Sequence, residues 1–279
     1  MKYLIVAADD FGMTKSMNEG IVKAYKEGIV TSINFMPSGE AFEDARTLAM
    51  ELKLKEIGGH LALTETSPVA EPDKVSSLVT RGNRFRKDYI SLILDLFFKR
   101  IREDEIYIEL KSQLGRLKAL GIKIAYLSSH EHIHMRPDIL KIFVELAKEH
   151  GIPSIRCIRR EKISPPYSVK KIYRTLTAAY FDKRMRESLD TLAISHADNF
   201  RGFLDSGSLN ESNLINICKS LDDGITELVC HPGFLGPEVL DRYRFHINCE
   251  YELYALTSPR VKKIIKEQNI NLINYSEFL

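Results

Sequence analysis

The sequence predicts an α/β protein with a single (β/α) barrel that is distorted or open along one seam. Two observations predict it. Short runs of strand length alternate with longer amphipathic stretches along all 279 residues, and most of these runs are continuously apolar or β-branched. Parallel strands that are buried on both faces require such runs. An open doubly wound sheet is the alternative, but no glycine-rich dinucleotide motif or phosphate-binding loop favours it.

The pattern predicts about eight strands and the helices between them. The predicted strands are 3–8, 31–36, 57–63, 122–128, 154–158, 192–195, 227–230 and 269–274. The predicted helices are 16–27, 41–52, 104–120, 137–150, 210–221 and 259–267. Three of these helices run directly into Gly28, Gly121 and Gly151, the residue type that supplies positive φ at a helix C-cap.

Composition and charge exclude several classes of function. The 40 lysines and arginines nearly balance 38 aspartates and glutamates, so charge gives no case for a nucleic acid or an anionic membrane as partner. No segment approaches the roughly 20 apolar residues of a membrane span, and the first apolar run is too short for a signal peptide. The four cysteines form no CxxC pair. We therefore expect a cytoplasmic protein with buried free thiols.

The chain is expected to form one catalytic domain over residues 1–279. Two segments resemble insertions into the barrel, near 64–86 and 161–186. The second is rich in lysine, arginine and tyrosine. We interpret it as a solvated helical excursion, with a lid or an oligomer contact as the alternative.

Acidic and histidine side chains follow several predicted strands. They are Asp9, Asp10, His60, His130, His132, His134 and His231. Because the carboxyl ends of parallel barrel strands meet at one face, we expect these side chains to lie close together. Two further histidines, His150 and His246, follow no predicted strand and are expected at the surface.

Asp9 and Asp10 end the first predicted strand. Adjacent residues of an extended chain point to opposite sides, but a turn at Phe11 and Gly12 would let both carboxylates reach one site. Two close carboxylates repel each other unless a cation lies between them. The alternative is that one aspartate caps the next helix.

His130, His132 and His134 alternate after the fourth predicted strand. If this segment is extended, the three imidazoles share one face, and a divalent cation would bind them as neutral nitrogen donors. A carboxylate with two histidines leaves coordination positions open for water and substrate. The pattern does not choose among the histidines or between the aspartates. Arg156, on the fifth predicted strand, is a candidate to hold a carboxylate or a substrate oxygen.

These motifs resemble those of the YdjC-like carbohydrate deacetylases, which include the chitooligosaccharide deacetylases. The matching segments are ADDFG at 8–12, GHLALT at 59–64, SHEHIH at 129–134 and HPG at 231–233. The resemblance implies a barrel related to the polysaccharide deacetylases and a divalent metal ion, zinc or magnesium. The sequence departs from the family at Ala8, where asparagine is usual, and at Glu131, where histidine is usual.

The resemblance also implies roles for individual residues. The implied metal ligands are Asp10, His60 and His130. The implied general base is Asp9, and the candidate general acid is His231. His132, His134 and Arg156 are left as substrate contacts or as supports for these groups.

The implied reaction is metal-dependent hydrolysis that removes the N-acetyl group from an acetylated amino sugar or chitooligosaccharide. One alternative is another metallohydrolase, such as a phosphoesterase. The other is a non-catalytic protein that binds a metal or a sugar. The expected partner is the acetylated sugar, with no nucleic acid and no membrane. The sequence leaves a homodimer open.

Overall fold

The computed structural model describes residues 1–161 and 168–279, and eight strands in this part form one parallel sheet. The strands are β1 (Lys2–Phe11), β2 (Ser32–Phe35), β3 (Glu56–Leu61), β4 (Lys123–Ser129), β5 (Ser154–Ile155), β6 (Asn199–Arg201), β7 (Gly224–Cys230) and β8 (Ile270–Leu272). β1 and β7 are almost wholly buried, as their continuously apolar runs predict.

Helices connect the strands. They are α1 (Lys15–Glu27), α2 (Phe42–Glu51), α3 (Tyr89–Phe97), α4 (Glu103–Lys118), α5 (Pro137–His150), α6 (Val169–Thr191), α7 (Glu211–Lys219), α8 (Pro237–Asp241), α9 (Cys249–Thr257), α10 (Pro259–Glu267) and α11 (Tyr275–Phe278). Short 3₁₀ turns cover His130–Met135 and Arg244–His246. None of the helices in the described residues is both long enough and apolar enough to cross a membrane.

The sheet curls into a barrel with one open seam. Its order is β5-β4-β3-β2-β1-β7-β6. β8 pairs with the first residues of β1, on the edge whose later residues pair with β2. Between β5 and the start of β6, an isolated bridge joins Ser154 to Ser195. The prediction of a distorted (β/α) barrel is therefore confirmed.

The predicted strand at 192–195 is wrong, because this apolar stretch ends α6 instead. Ala193 adopts a left-handed φ of +55°, and its N–H donates to the carbonyl of Asp190. The N–H of Ile194 reaches back to the carbonyl of Leu189. This pair of bonds is a Schellman cap, which uses an apolar residue just past the helix. The sixth strand follows later, at Asn199–Arg201, where it pairs with β7.

Residues of both predicted insertions, among them Glu65 and Tyr173, line the central cavity. Residues 64–86 form a loop that is closed by a bridge between Thr64 and Arg86. Buried Glu109 of α4 holds this loop by accepting the N–H groups of Val69 and Ala70. In the second segment, residues 162–167 lie outside the described residues, and from Val169 onward the chain is α6.

The four cysteines are buried and free, as predicted. Their side chains belong to apolar clusters rather than to a redox or metal site. Cys157, Cys218 and Cys230 pack in the main core, and Cys249 packs against Met17 and Val239. The chemistry of the protein therefore lies with the polar residues at the carboxyl ends of the strands.

Candidate active site

The end of β1 brings Asp9 and Asp10 to the same site. Asp10 has a left-handed backbone, with φ of +69°, and the pairing of β1 with β2 shifts register between Ala8 and Phe11. Aspartate is one of the few residue types that enter this region at modest cost. Such a bulge removes the strict alternation that would point the two carboxylates to opposite faces. The turn that lets both carboxylates reach one site therefore begins at Asp10, one residue before the predicted turn at Phe11 and Gly12.

Asp10, His60 and His130 form a compact buried cluster. Each offers one ligand atom, and these atoms lie within 4.8 Å of one another. Asp10 Oδ1 is 2.8 Å from His130 Nδ1 and 3.2 Å from His60 Nε2. Donors that sit about 2.1 Å from a shared divalent ion lie about 3.0–3.4 Å apart in octahedral or tetrahedral sites. The donor set and its spacing therefore fit a divalent cation.

Both imidazoles of the cluster are held through their second nitrogen. His60 Nδ1 is 2.8 Å from Ser128 Oγ, and His130 Nε2 is 2.8 Å from Glu65 Oε2. Metal-binding histidines are commonly oriented by such outer partners, which fix the ring and its tautomer. Burial would lower the pKa of His130, but the carboxylates of Asp10 and Glu65 raise it well above its usual range. The carboxylates of Asp10 and Glu65 therefore favour a positive charge at this cluster.

Asp9 lies beside the cluster but is held by different partners. The Arg156 guanidinium donates to both of its oxygens, with Nη1 2.6 Å from Oδ2 and Nη2 2.9 Å from Oδ1. Asn34 Nδ2 also donates to Oδ1. Burial raises the pKa of Asp9, but the charge and hydrogen bonds of Arg156, together with the charges of His60 and His231, outweigh it and bring the pKa well below the usual range. Asp9 is therefore an ionised carboxylate, with Oδ2 3.9 Å from His60 Nε2.

Arg156 is a support for Asp9 rather than part of the cavity surface. It is fully buried, and its Nε donates to Glu227 Oε1 over 2.8 Å. Glu227 in turn accepts the hydroxyl of Tyr275 at 2.6 Å. A guanidinium that is shared by two carboxylates has little freedom to turn, so it fixes the orientation of Asp9.

His231 follows β7 and lies on another side of the cavity. Its backbone N–H donates to Glu252 Oε2 at 2.6 Å, while its ring Nδ1 is 3.8 Å from the same oxygen. Burial lowers the pKa of His231, but the carboxylates of Glu252, Asp10 and Asp9 together outweigh it, and the net shift is upward. The ring therefore holds a proton more readily than a free histidine.

The expectation that His130, His132 and His134 share one extended face is wrong. β4 ends at Ser129, and the following 3₁₀ turn contains two left-handed residues, Glu131 with φ of +50° and His132 with φ of +52°. The turn separates the rings, because strand alternation no longer applies. Only His130 of the three reaches Asp10.

The other two rings have separate surroundings. His132 lines the cavity and packs edge-on against Phe200 and Phe203, with centroid distances of 6.0 and 5.3 Å. His134 is fully buried, where its Nδ1 contacts Ser129 Oγ and its Nε2 lies 3.1 Å from the carbonyl of Arg156. His132 therefore lines the cavity. His134 instead contacts the backbone of Arg156, the residue that holds Asp9.

A cavity of about 260 Å³ opens over these groups. Its lining combines ionisable and aromatic side chains, including Asp9, Asp10, His60, His130, His231, Tyr89, Tyr173, Phe203 and Phe245. A few convergent polar groups within aromatic walls are typical of a site for a small ligand.

The family model described as "YdjC-like protein" matches residues 3–267. The chain belongs to the YdjC-like family. A carbohydrate deacetylase of Brevibacillus brevis is 34% identical over 98% of each chain, and one of Thermoanaerobacter pseudethanolicus is 31% identical over 99% of each. A chitooligosaccharide deacetylase of Serratia marcescens is 29% identical over 99% of each chain.

One solved structure reproduces the fold of this YdjC-like chain over nearly its whole length. It is an Enterococcus faecalis V583 protein that is proposed to cleave cellobiose-phosphate, with a TM-score of 0.80 and 24% identity. The alignment covers 99% of this chain and 98% of that one. The family model and the curated relatives, rather than this structure, confirm the family resemblance that the sequence motifs indicate.

The site of this YdjC-like chain contains one histidine that the sequence analysis misplaces. His246 was expected at the surface, but it is fully buried, with Nε2 3.3 Å from Asp10 Oδ2. It lies on a 3₁₀ turn rather than after a strand, so strand-end placement could not find it. Glu65 and Glu252 were also missed. Glu65 directly follows the GHLALT motif, which is the one local signal for it.

Proposed function

We propose that this protein is a metal-dependent carbohydrate deacetylase that removes the N-acetyl group from an acetylated amino sugar or chitooligosaccharide. The observation that carries the proposal is the buried Asp10–His60–His130 cluster beside an arginine-held carboxylate, Asp9, in one cavity. The names of the relatives support the same chemistry. A divalent cation, when bound to the cluster, polarises an amide carbonyl and acidifies a water molecule.

The proposed ligands are Asp10, His60 and His130, and zinc suits them better than magnesium. Two imidazoles and one carboxylate are a common donor set for zinc, whereas magnesium prefers oxygen ligands and retains several waters. Coordination positions beyond these three stay open to the cavity. A zinc-loaded protein is therefore the first form to assay, with magnesium as the comparison.

Asp9 is the proposed general base, and its Oδ2 is the atom that takes the proton. Oδ1 accepts hydrogen bonds from both Asn34 and Arg156, whereas Oδ2 accepts one, from Arg156. A carboxylate oxygen has lone pairs for two such bonds, so Oδ2 keeps one for the attacking water. Because Arg156 holds the carboxylate, the base stays ionised and oriented.

His231 is the proposed general acid. Its Nδ1 faces Glu252, which leaves Nε2 for the substrate. As the C–N bond of the amide breaks, the departing amine needs a proton, and the ring supplies it. The upward shift of the His231 pKa favours the protonated ring, which is the form that a general acid requires. Asp9 gains a proton and His231 loses one, so the two side chains balance the hydrolysis.

The cavity supports a sugar as the substrate. Aromatic side chains such as Tyr89, Tyr173 and Phe203 offer flat apolar surfaces to the ring, and the polar groups lie beside them. Its volume of about 260 Å³ is below the roughly 300–1,000 Å³ that is typical of pockets for drug-sized ligands. We propose that the cavity takes the acetamido group and the sugar ring that carries it, while further sugar units extend outside.

A cytoplasmic location and a homodimer stay predictions.

An acetate-release assay tests the proposed function. The protein is stripped with a chelator, reloaded with zinc or magnesium, and incubated with N-acetylated chitobiose and longer N-acetylated chitooligosaccharides. We expect acetate and a free amine from the loaded protein, and none from the stripped protein, because the amide needs the polarising cation. Absence of acetate from every acetylated sugar with every metal would reject the proposal.

A phosphoesterase is the weaker candidate. Such enzymes often use two metal ions about 3.5–4 Å apart. Within residues 1–161 and 168–279, Asp10, His60 and His130 are the one group of three close ligands found. Release of inorganic phosphate from a phosphate monoester, measured with the same metal-loaded protein, supplies the comparison.

A further inference from the structure

His246 is the least satisfied polar side chain near the cluster. It is fully buried, and neither ring nitrogen has a hydrogen-bond partner in the described part of the chain. Buried polar atoms in native proteins nearly always have partners, so an exception at this position calls for a functional reason.

The two oxygens of Asp10 face different imidazoles. Oδ1 points to His60 and His130, and Oδ2 lies 3.3 Å from His246 Nε2. That separation is within hydrogen-bonding distance, but the two atoms do not form a hydrogen bond. His246 is not part of the three-residue ligand group, and it approaches that group at Asp10 Oδ2.

The ring of His246 is held in place by its neighbours. It packs edge-on against Phe245 at a centroid distance of 5.0 Å and lies 5.6 Å from the ring of His231. Its backbone N–H donates to the carbonyl of Tyr243 at 2.9 Å. The ring is therefore buried beside Asp10 Oδ2, and the described part of the chain offers Nε2 no other hydrogen-bond partner.

We propose that His246 is a positioning residue for the metal site: a slight tilt of its ring lets Nε2–H donate to Asp10 Oδ2, 3.3 Å away, which keeps Oδ1 directed at the bound cation. This inference rests on the proposed metal-dependent function. An outer hydrogen bond to a ligating carboxylate restricts its rotation, and the loss of such a bond typically weakens metal affinity 10–100-fold. His246 does for Asp10 what Ser128 and Glu65 do for the two imidazoles.

The test is a zinc-affinity measurement by competition with a chromophoric chelator, on the full chain. We expect His246→Phe to bind zinc about 10–100-fold more weakly than wild type. His246→Gln should recover most of the affinity, because its side-chain amide can donate from the place of Nε2. His246→Asn should not recover it, because its amide is too short to reach Oδ2.

His196→Phe is the matched control. His196 also pairs with an aspartate, with Nε2 3.0 Å from Asp190 Oδ1, but it is not among the residues that line the cavity. This variant should bind zinc like wild type. Thermal unfolding of all variants separates folding from binding. If His246→Phe folds poorly, the comparison of the Gln and Asn variants still decides.

Three results would overturn the inference. Wild-type affinity in His246→Phe would show that Asp10 needs no partner on Oδ2. Equal losses in well-folded Gln and Asn variants would show that the hydrogen bond is not the cause. Absence of zinc binding by the wild type would remove the proposed metal site as well, and this separates a failure of the proposed function from a failure of the role of His246.

Discussion

Asp9→Asn is expected to lower kcat for acetate release by about 10²–10⁴-fold, the usual contribution of a general base. Its metal content should stay at the wild-type level. Asparagine keeps the shape of the side chain and can still accept a hydrogen bond from Arg156, but it cannot accept the proton of the attacking water. Because Asp9 is outside the proposed ligand set, chemistry is lost while the metal site is kept.

Two measurements make the Asp9→Asn result specific. The free energy of unfolding must be determined, because Arg156 would keep Glu227 as its one carboxylate partner in the buried network. Asp190→Asn is a matched control. It removes a carboxylate that pairs with His196, and neither residue is among those that line the cavity. Retention of wild-type kcat in a well-folded Asp9→Asn would assign the base to another group.

His130→Ala is expected to reduce bound zinc from about one per chain to nearly none, and activity with it. The substitution removes one of the three proposed ligands and also leaves Glu65 without its imidazole partner. Elemental analysis of the dialysed protein measures the metal directly, and circular dichroism checks the fold.

His132→Ala is the discriminating control for His130→Ala. It removes an imidazole two residues away that lines the same cavity but does not belong to the ligand cluster. This variant should keep its zinc and change mainly KM. Equal metal content in wild type and His130→Ala, or loss of metal from His132→Ala, would mean that the wrong histidine of the motif has been chosen.

The elements that were predicted best are those whose ends carry proline or glycine, the residue types with the strongest backbone preferences. α5 and α10 occupy Pro137–His150 and Pro259–Glu267, as predicted, because each begins with proline and Gly151 closes α5 at φ of +65°. The apolar strands were found for a similar reason. Burial on both faces of a parallel sheet leaves a continuous apolar run in the sequence.

The choice among neighbouring site residues could not be made from periodicity. Asp9 and Asp10 have different partners: Asp10, whose backbone is left-handed, faces His60 and His130. Likewise, two positive φ values break the alternation of the histidine motif. In both places one or two residues leave the extended conformation. A prediction from strand alternation assumes that the backbone stays extended.

Long-range partners were the least predictable part of the site. Arg156 reaches Asp9 across 147 positions of sequence, and His246 approaches Asp10 from a short turn near the carboxyl end of the chain. No local pattern encodes such a contact, because it depends on how the curled sheet brings distant loops together. The family resemblance supplied roles for Asp9, Asp10 and His130, but none for His246.

The central claim is that Asp10, His60 and His130 share one divalent cation. Anomalous diffraction at the zinc absorption edge, from crystals of the zinc-loaded protein, tests this most directly. We predict one strong peak that lies about 2.0–2.2 Å from Asp10 Oδ1, His60 Nε2 and an imidazole nitrogen of His130. A peak elsewhere, or the absence of a peak between these three side chains, would contradict the account.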